Sequence, residues 1–98
     1  MAHYGENGDD AKYVTEIQSL YYLKNTTNPT QPSSDTTIAT TDVQNNWTSM
    51  VPSWPNNATE NTEYYRSTKY TYDDDSTTYE TMYIDRGLTL MNSNAFEA

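Results

Sequence analysis

The chain has no cysteine, one histidine, three glycines, four prolines and only five basic residues among its 98. Without cysteine no disulfide can staple so small a domain, so it folds in a reducing cell or belongs to an assembly built there. Without a second histidine or any cysteine, zinc and iron lack their usual ligands. A Ser–His–Asp arrangement is equally poor, because the sole imidazole, His3, sits in a polar leader. Five basic residues against fourteen acidic ones leave a net charge of −9 and a pI near 4.1. That balance excludes nucleic acid and anionic membrane surfaces as natural partners, since both demand Lys and Arg. No apolar run is long enough to span a bilayer, and no signal-peptide pattern follows Met1-Ala2-His3.

Leu, Ile and Val are few, and there is one Phe. What the chain has instead is aromatic: ten tyrosines and two tryptophans. A core of this composition leans on rings whose hydroxyls stay near water. The length fits one small domain of modest stability.

The strongest local signal is residues 63–85, EYYRSTKYTYDDDSTTYETMYID, which hold six of the ten tyrosines. Two Tyr- and Thr-rich arms, 63–72 and 77–85, flank an aspartate cluster and predict one long hairpin. Neither arm has a purely apolar face, so parity does not tell which face is buried. Residues 13–24, YVTEIQSLYYLK, are rich in Tyr, Thr, Val and Ile and predict another strand. Their mixed parity predicts a bulge or burial on both faces. Residues 25–34 and 55–61 predict loops; 36–41, centred on Ile38, predict a short edge strand. Pro52 makes 46–54 an edge or bulged entry. Leu88 to Leu90 predict a last short strand, and Asn92 and Ser93 the start of a helix.

Gly5 to Asp10, GENGDD, form two Gly-X-Y triplets. They read either as a flexible acidic leader or as the end of a collagen-like segment. The expected organisation is a leader over 1–11, a β module over 12–91, and the start of a linker or helix over 92–98.

Few residues offer chemistry. Asp73, Asp74 and Asp75 cannot all face one calcium ion from a tight turn, and the spacing is not an EF-hand loop. They read as a solvated turn that also discourages edge pairing. Glu16, Glu60, Glu63, Glu80 and Asp85 offer carboxylates, but no spacing selects a catalytic pair. Neither an enzyme nor a metal or other cofactor is expected. The sequons at Asn25, Asn46 and Asn57 are common in an Asn- and Thr-rich chain and carry little weight. The aromatics are more suggestive. Trp54, Tyr64, Tyr65, Tyr70 and Tyr72 are the candidate ligand-binding residues, as a platform on which sugar rings stack, against the alternative that they are core. Trp47 reads as core.

A pattern of short motifs runs along the chain: Gly5 and Gly8, Asp10-Ala11, Val14-Thr15, Tyr21-Tyr22-Leu23, Trp47-Thr48, Pro52, and residues 64–78. In this the chain resembles the small β modules of phage and prophage minor tail, tail-fibre and baseplate proteins of Gram-positive hosts. It departs from them in having no glycine in the hairpin turn. The resemblance implies an all-β fold, a small antiparallel β-sandwich of Ig-like or fibronectin-III-like type. It also implies a non-enzymatic structural or interaction module of a phage tail, assembled in the bacterial cytoplasm and located in the virion. The implied partners are other tail modules, or identical chains in a trimer joined by a Gly-X-Y stalk, and host surface glycans. The alternatives are a carbohydrate-binding module for host cell-wall polysaccharide, and a domain of a bacterial cell-surface protein.

Overall fold

The structure, a computed structural model, describes residues 11–97. The Gly-X-Y leader at Gly5 to Asp10 and His3 lie outside the described residues. The backbone of the fold is a long antiparallel pair. Strand β1 (Val14–Lys24) runs against β3 (Glu63–Tyr72) over ten residue pairs, from Val14 opposite Tyr72 to Lys24 opposite Glu63. A two-residue strand, β2 (Trp47–Thr48), adds to the other side of β1 at Tyr21 and Tyr22. Strands β4 (Thr77–Tyr79) and β5 (Tyr83–Ile84) follow one another along the free side of β3. The result is one five-stranded antiparallel sheet of order β2-β1-β3-β4, with β5 also on β3, followed by a helix, α1 (Arg86–Glu97).

Several departures from regularity have local causes. The mixed parity of β1 is a bulge between Val14 and Glu16. It turns Val14 onto the same face as Ile17, because Val14 lies opposite Tyr72 and Ile17 opposite Tyr70. The hairpin tip is a three-residue loop, 73–75, closed by Tyr72 N–H donating to the Ser76 carbonyl at 2.9 Å. Such loops end on a left-handed residue, usually glycine. Here Asp75 takes that place at φ 68°, and Asp74 Oδ1 steadies it by accepting from Ser76 N–H at 3.0 Å and Ser76 Oγ at 2.6 Å. Hydrogen bonds from Ser76, with the Lys12 ammonium beside it, hold the Asp74 carboxyl below its usual range.

The second arm, expected as one strand over 77–85, is broken in two. Ser67 and Thr68 of β3 stand against Glu80, Thr81 and Met82, so one residue is extra. The bulge leaves polar backbone atoms, and a side chain from a distant loop takes them up. Gln31 Nε2 donates to the Glu80 carbonyl at 2.9 Å, and Met82 N–H donates to Gln31 Oε1 at 2.8 Å. The Gln31 amide thus stands in for a strand residue. Ser67 Oγ, buried, also donates to the Glu80 carbonyl at 2.8 Å.

The sheet is covered at one end only. On one face Leu20, Tyr22 and Trp47 form a buried cluster, with Ile38, Tyr65, Tyr79 and Met82 packed against it. Trp47 and Tyr22 meet with ring centroids 5.4 Å apart, and Trp47 Nε1 donates to the Thr30 carbonyl at 2.9 Å. The cover is irregular chain, residues 25–46. The expected strand over 36–41 reduces to one bridge, Ala39 with Thr48. The opposite face buries Leu23 and Tyr64 under Pro52, Trp54 and α1. Both faces of β1 are therefore used between Leu20 and Leu23, which explains its near-continuous apolar run there. Among the described residues all strands belong to this one sheet.

Toward the hairpin tip the sheet loses its cover. Residues 11–17 are all exposed. Val14, Ile17, Tyr70 and Tyr72 share one open face, with Lys12 Nζ 5.7 Å from the Tyr72 ring. The helix begins at Arg86, so Leu88 to Leu90 are helical and not the expected strand. The reason is Asp85, whose Oδ1 accepts from Leu88 N–H at 2.9 Å as a helix N-cap. Thr89 ties the first turn to the sheet: its Oγ1 accepts from Tyr64 N–H at 2.9 Å and donates to the Asp85 carbonyl at 2.9 Å. No helix among the described residues is long and apolar enough to cross a membrane.

Candidate functional site

Two regions bring candidate residues to the surface. The first is built around Trp54. Residues 42–45 and 53–56 enclose an open groove of about 610 Å³, lined by Asp42, Gln44, Asn45, Ser53, Trp54 and Asn56. Its walls are tied together. Asp42 Oδ1 accepts from Ser53 N–H at 3.0 Å, and Asp42 Oδ2 accepts from Ser53 Oγ. Asn45, left-handed at φ 62°, turns one oxygen onto three backbone amides, those of Asn25, Thr26 and Thr27, at 3.1–3.2 Å. Such a fan of amides on one acceptor fixes the loop without regular secondary structure. Trp54 also walls a second groove of about 380 Å³ on the side of α1, lined by Thr59, Glu60, Thr62, Ser93 and Glu97.

Trp54 is half-buried, and its ring leans on Tyr64 with centroids 5.9 Å apart and planes 42° apart. Tyr64 is fully buried and donates its hydroxyl to the Pro52 carbonyl. Burial, with the Asp42 carboxylate nearby, pushes the Tyr64 phenol up to about 12. Trp54 is thus held from beneath by a neutral, hydrogen-bonded tyrosine. A supported indole bordered by carboxylate and amide groups is chemically suited to a pyranose ring, which offers an apolar face and a hydroxyl rim.

The second region is the uncovered sheet face at the hairpin arm, with Tyr70, Tyr72, Val14 and Ile17. The five candidate residues therefore divide three ways. Trp54 and Tyr64 stand together, but only Trp54 lines a groove. Tyr65 lies on the opposite face, packed against the Trp47 cluster. Tyr70 and Tyr72 lie on the Tyr64 face but six and eight residues along β3, roughly 20–27 Å away. Sequence reasoning missed Asp42, Asn45, Gln31 and the grooves, because loop residues without period leave no pattern to read.

The carboxylates of Asp73, Asp74, Glu63, Glu80 and Asp85 have structural partners. Asp73 Oδ1 accepts from Tyr13 N–H at 3.3 Å, and Asp74 Oδ2 lies 3.5 Å from Lys12 Nζ. Glu63 lies 3.8 Å from Lys24, Glu80 accepts from Thr68 Oγ1 at 2.9 Å, and Asp85 caps α1. Arg66 lies over the Tyr21 ring at 4.7 Å and 3.8 Å from Asp85. Among the described residues no three His, Cys, Asp or Glu side chains gather as a metal site would require. Of the sequons, Asn25 is buried, with its Nδ2 donating to Asn57 Oδ1 at 2.8 Å and its Oδ1 accepting from Thr62 Oγ1 at 2.9 Å. Compared with protein-family models, with curated proteins and with solved structures, the chain matches none.

Proposed function

We propose that this chain is a non-enzymatic structural and interaction module of a phage tail or tail fibre, spacing or presenting the elements that touch the host. One observation supports the spacing role beyond the motif resemblance. The described chain enters beside the hairpin tip, where Tyr13 and Asp73 exchange hydrogen bonds, and α1 departs from the far end, beside Tyr64. The ten-pair ladder of β1 and β3 holds these points about 30 Å apart. A two-strand spine with entry and exit at opposite ends sets distance and direction between whatever it joins. The Ig-like or fibronectin-III-like sandwich belongs to the same proposal. In it, the irregular segment 25–46, which covers the Leu20, Tyr22 and Trp47 face, stands where a second sheet would lie. Immunogold labelling of particles released by the encoding bacterium tests the reading. Label on tails is the expected result; particles free of the chain by mass spectrometry would refute it.

The Trp54 groove favours a second reading, a carbohydrate-binding module for host cell-wall polysaccharide. The chain's charge of −9, with Asp42 in the groove, selects neutral or amino sugars over phosphate-bearing polymers. Titration with solubilised wall polysaccharide should change Trp54 fluorescence, and Trp54→Ala should abolish binding while leaving the fold intact. No response to any wall fraction would remove this reading and leave the first standing.

A further inference from the structure

We infer that the ligand taken at Trp54 is an internal stretch of a linear, neutral polysaccharide, which crosses the indole and occupies three grooves at once. This deepens the carbohydrate-binding reading above and rests on it. The starting point is which walls the grooves share. Trp54 borders both the 610 Å³ groove of residues 42–45 and 53–56 and the 380 Å³ groove beside α1. Asn45, which borders the larger of these, also borders a third groove of about 330 Å³, lined by Thr27, Thr30, Thr37, Asn46 and Trp47 among others. The third groove and the groove beside α1 have no lining residue in common, so the large groove connects them. The three form a series joined at Trp54 and at Asn45, and each has the volume of a small-ligand site, about 300–1,000 Å³. A single closed pocket takes one sugar or a chain end. A series of open grooves takes successive units and lets the polymer run on in both directions.

The walls of the series are tied to one another, and Asn25 is the knot. It is only 8% exposed. Its N–H donates to Asn45 Oδ1 at 3.1 Å, its Nδ2 donates to Asn57 Oδ1 at 2.8 Å, and its Oδ1 accepts from Thr62 Oγ1 at 2.9 Å. Asn45 is the wall between the large and third grooves, and Thr62 lines the groove beside α1. Thr62 Oγ1 also accepts from Thr59 N–H at 2.9 Å, which closes the loop on that side. On the opposite wall Thr89 is anchored to Tyr64 N–H, and Ser93 and Glu97 follow it at four-residue intervals on one face of α1. At the other end, Tyr22 donates its hydroxyl to the Thr27 carbonyl at 2.8 Å and Trp47 Nε1 donates to the Thr30 carbonyl at 2.9 Å. Walls set before the ligand arrives leave less ordering to be done on binding. The lining also fits a hydroxyl-rich neutral chain. The third groove is lined by Thr, Asn and two aromatic residues with no charge, and the carboxylate of the large groove, Asp42, is already bonded to Ser53.

The test is titration of the full chain with neutral oligosaccharides, mono- to hexasaccharide, size-fractionated from a mild-acid hydrolysate of Gram-positive wall polysaccharide. Tryptophan fluorescence and amide chemical shifts are the readouts. Affinity should rise by roughly tenfold or more between the monosaccharide and the longer oligomers. Shifts should spread with length from Trp54 to Ser93 on one side and to Thr37 on the other. Ser93→Leu and Thr37→Leu each add bulk to an outer groove at a position that is not buried. Each should cut the hexasaccharide-to-monosaccharide affinity ratio several-fold, with urea midpoints checking that the fold is kept. Binding that does not change with oligomer length, or a ratio indifferent to both variants, would overturn the inference and leave a single-groove carbohydrate site standing. No response to any oligomer or to the intact polysaccharide would remove the carbohydrate reading and this inference with it.

Discussion

Replacing Tyr64 with phenylalanine isolates what its hydroxyl contributes. The ring is fully buried and the hydroxyl donates to the carbonyl of Pro52, itself fully buried. Tyr64→Phe keeps the packing but leaves that carbonyl without its partner. An unsatisfied buried acceptor costs about 1–3 kcal/mol. For a domain of this size each kcal/mol lowers Tm by about 4–8 °C, so a fall of roughly 5–20 °C is expected. The same hydroxyl gives a pH signature. Its pKa rises from 10 in the unfolded chain to about 12 in the fold, chiefly through burial and then through Asp42. Below pH 10 the phenol is neutral in both states and its contribution is fully present. Between pH 10 and about 12 the unfolded chain ionises while the folded one resists, so stability falls by at most roughly 2–3 kcal/mol. Tyr22 and Tyr65 are also raised by burial and add to the alkaline slope, so Tyr64→Phe should reduce the slope without removing it. Urea unfolding at pH 8 to 11, followed by tryptophan fluorescence, measures both effects. A variant with the parental midpoint at pH 8, or with an undiminished alkaline slope, would show that Tyr64 does not hold Pro52 as described.

Gln31→Ala should lower stability by about 1–2 kcal/mol and speed amide exchange at Met82, since it removes two hydrogen bonds from the bulge; unchanged exchange at Met82 would refute the clamp. Asn45→Ala should cost about 2 kcal/mol or more, because it loses both the left-handed tolerance and an acceptor shared by three amides, while Asn45→Gly should recover only the backbone part in the same urea assay. Asp75→Ala should destabilise the hairpin tip by about 1 kcal/mol where Asp75→Gly does not, read from the unfolding midpoints. The Asp74 carboxyl is held below its ordinary pKa, so its contribution is present above the ordinary aspartate range and is lost as pH falls through its lowered value; the Ser76 amide resonance should move in that acidic window, and a Ser76 amide that ignores acid would count against the turn geometry.

The elements legible in the sequence were those whose neighbours are close in the chain. The hairpin at 63–85, its aspartate turn and the strand over 13–24 follow from alternation and turn chemistry, and the mixed parity of β1, which predicts a bulge or burial on both faces, corresponds to both. Trp47 was readable as core because few aliphatic residues compete with it. The start of α1 was misplaced because its cap, Asp85, stands at the end of a strand pattern that runs straight into the helix. The break in the second arm was invisible, since its partner Gln31 lies about fifty residues away in a loop.

The sequence by itself determined an acidic, cysteine-free, tyrosine-built antiparallel sheet. Local spacing and composition suffice for that. Only the tertiary structure decided which tyrosines are core and which are surface. Neighbours on the same face of β3 differ: Tyr64 is sealed beneath Pro52 and Trp54, while Tyr70 lies on the open arm. Their sequence pattern is the same. What separates them is where the distant loops 25–46 and 49–62 come to rest, and those loops are placed by single side chains such as Asn45, Asp42 and Gln31, which no periodicity records.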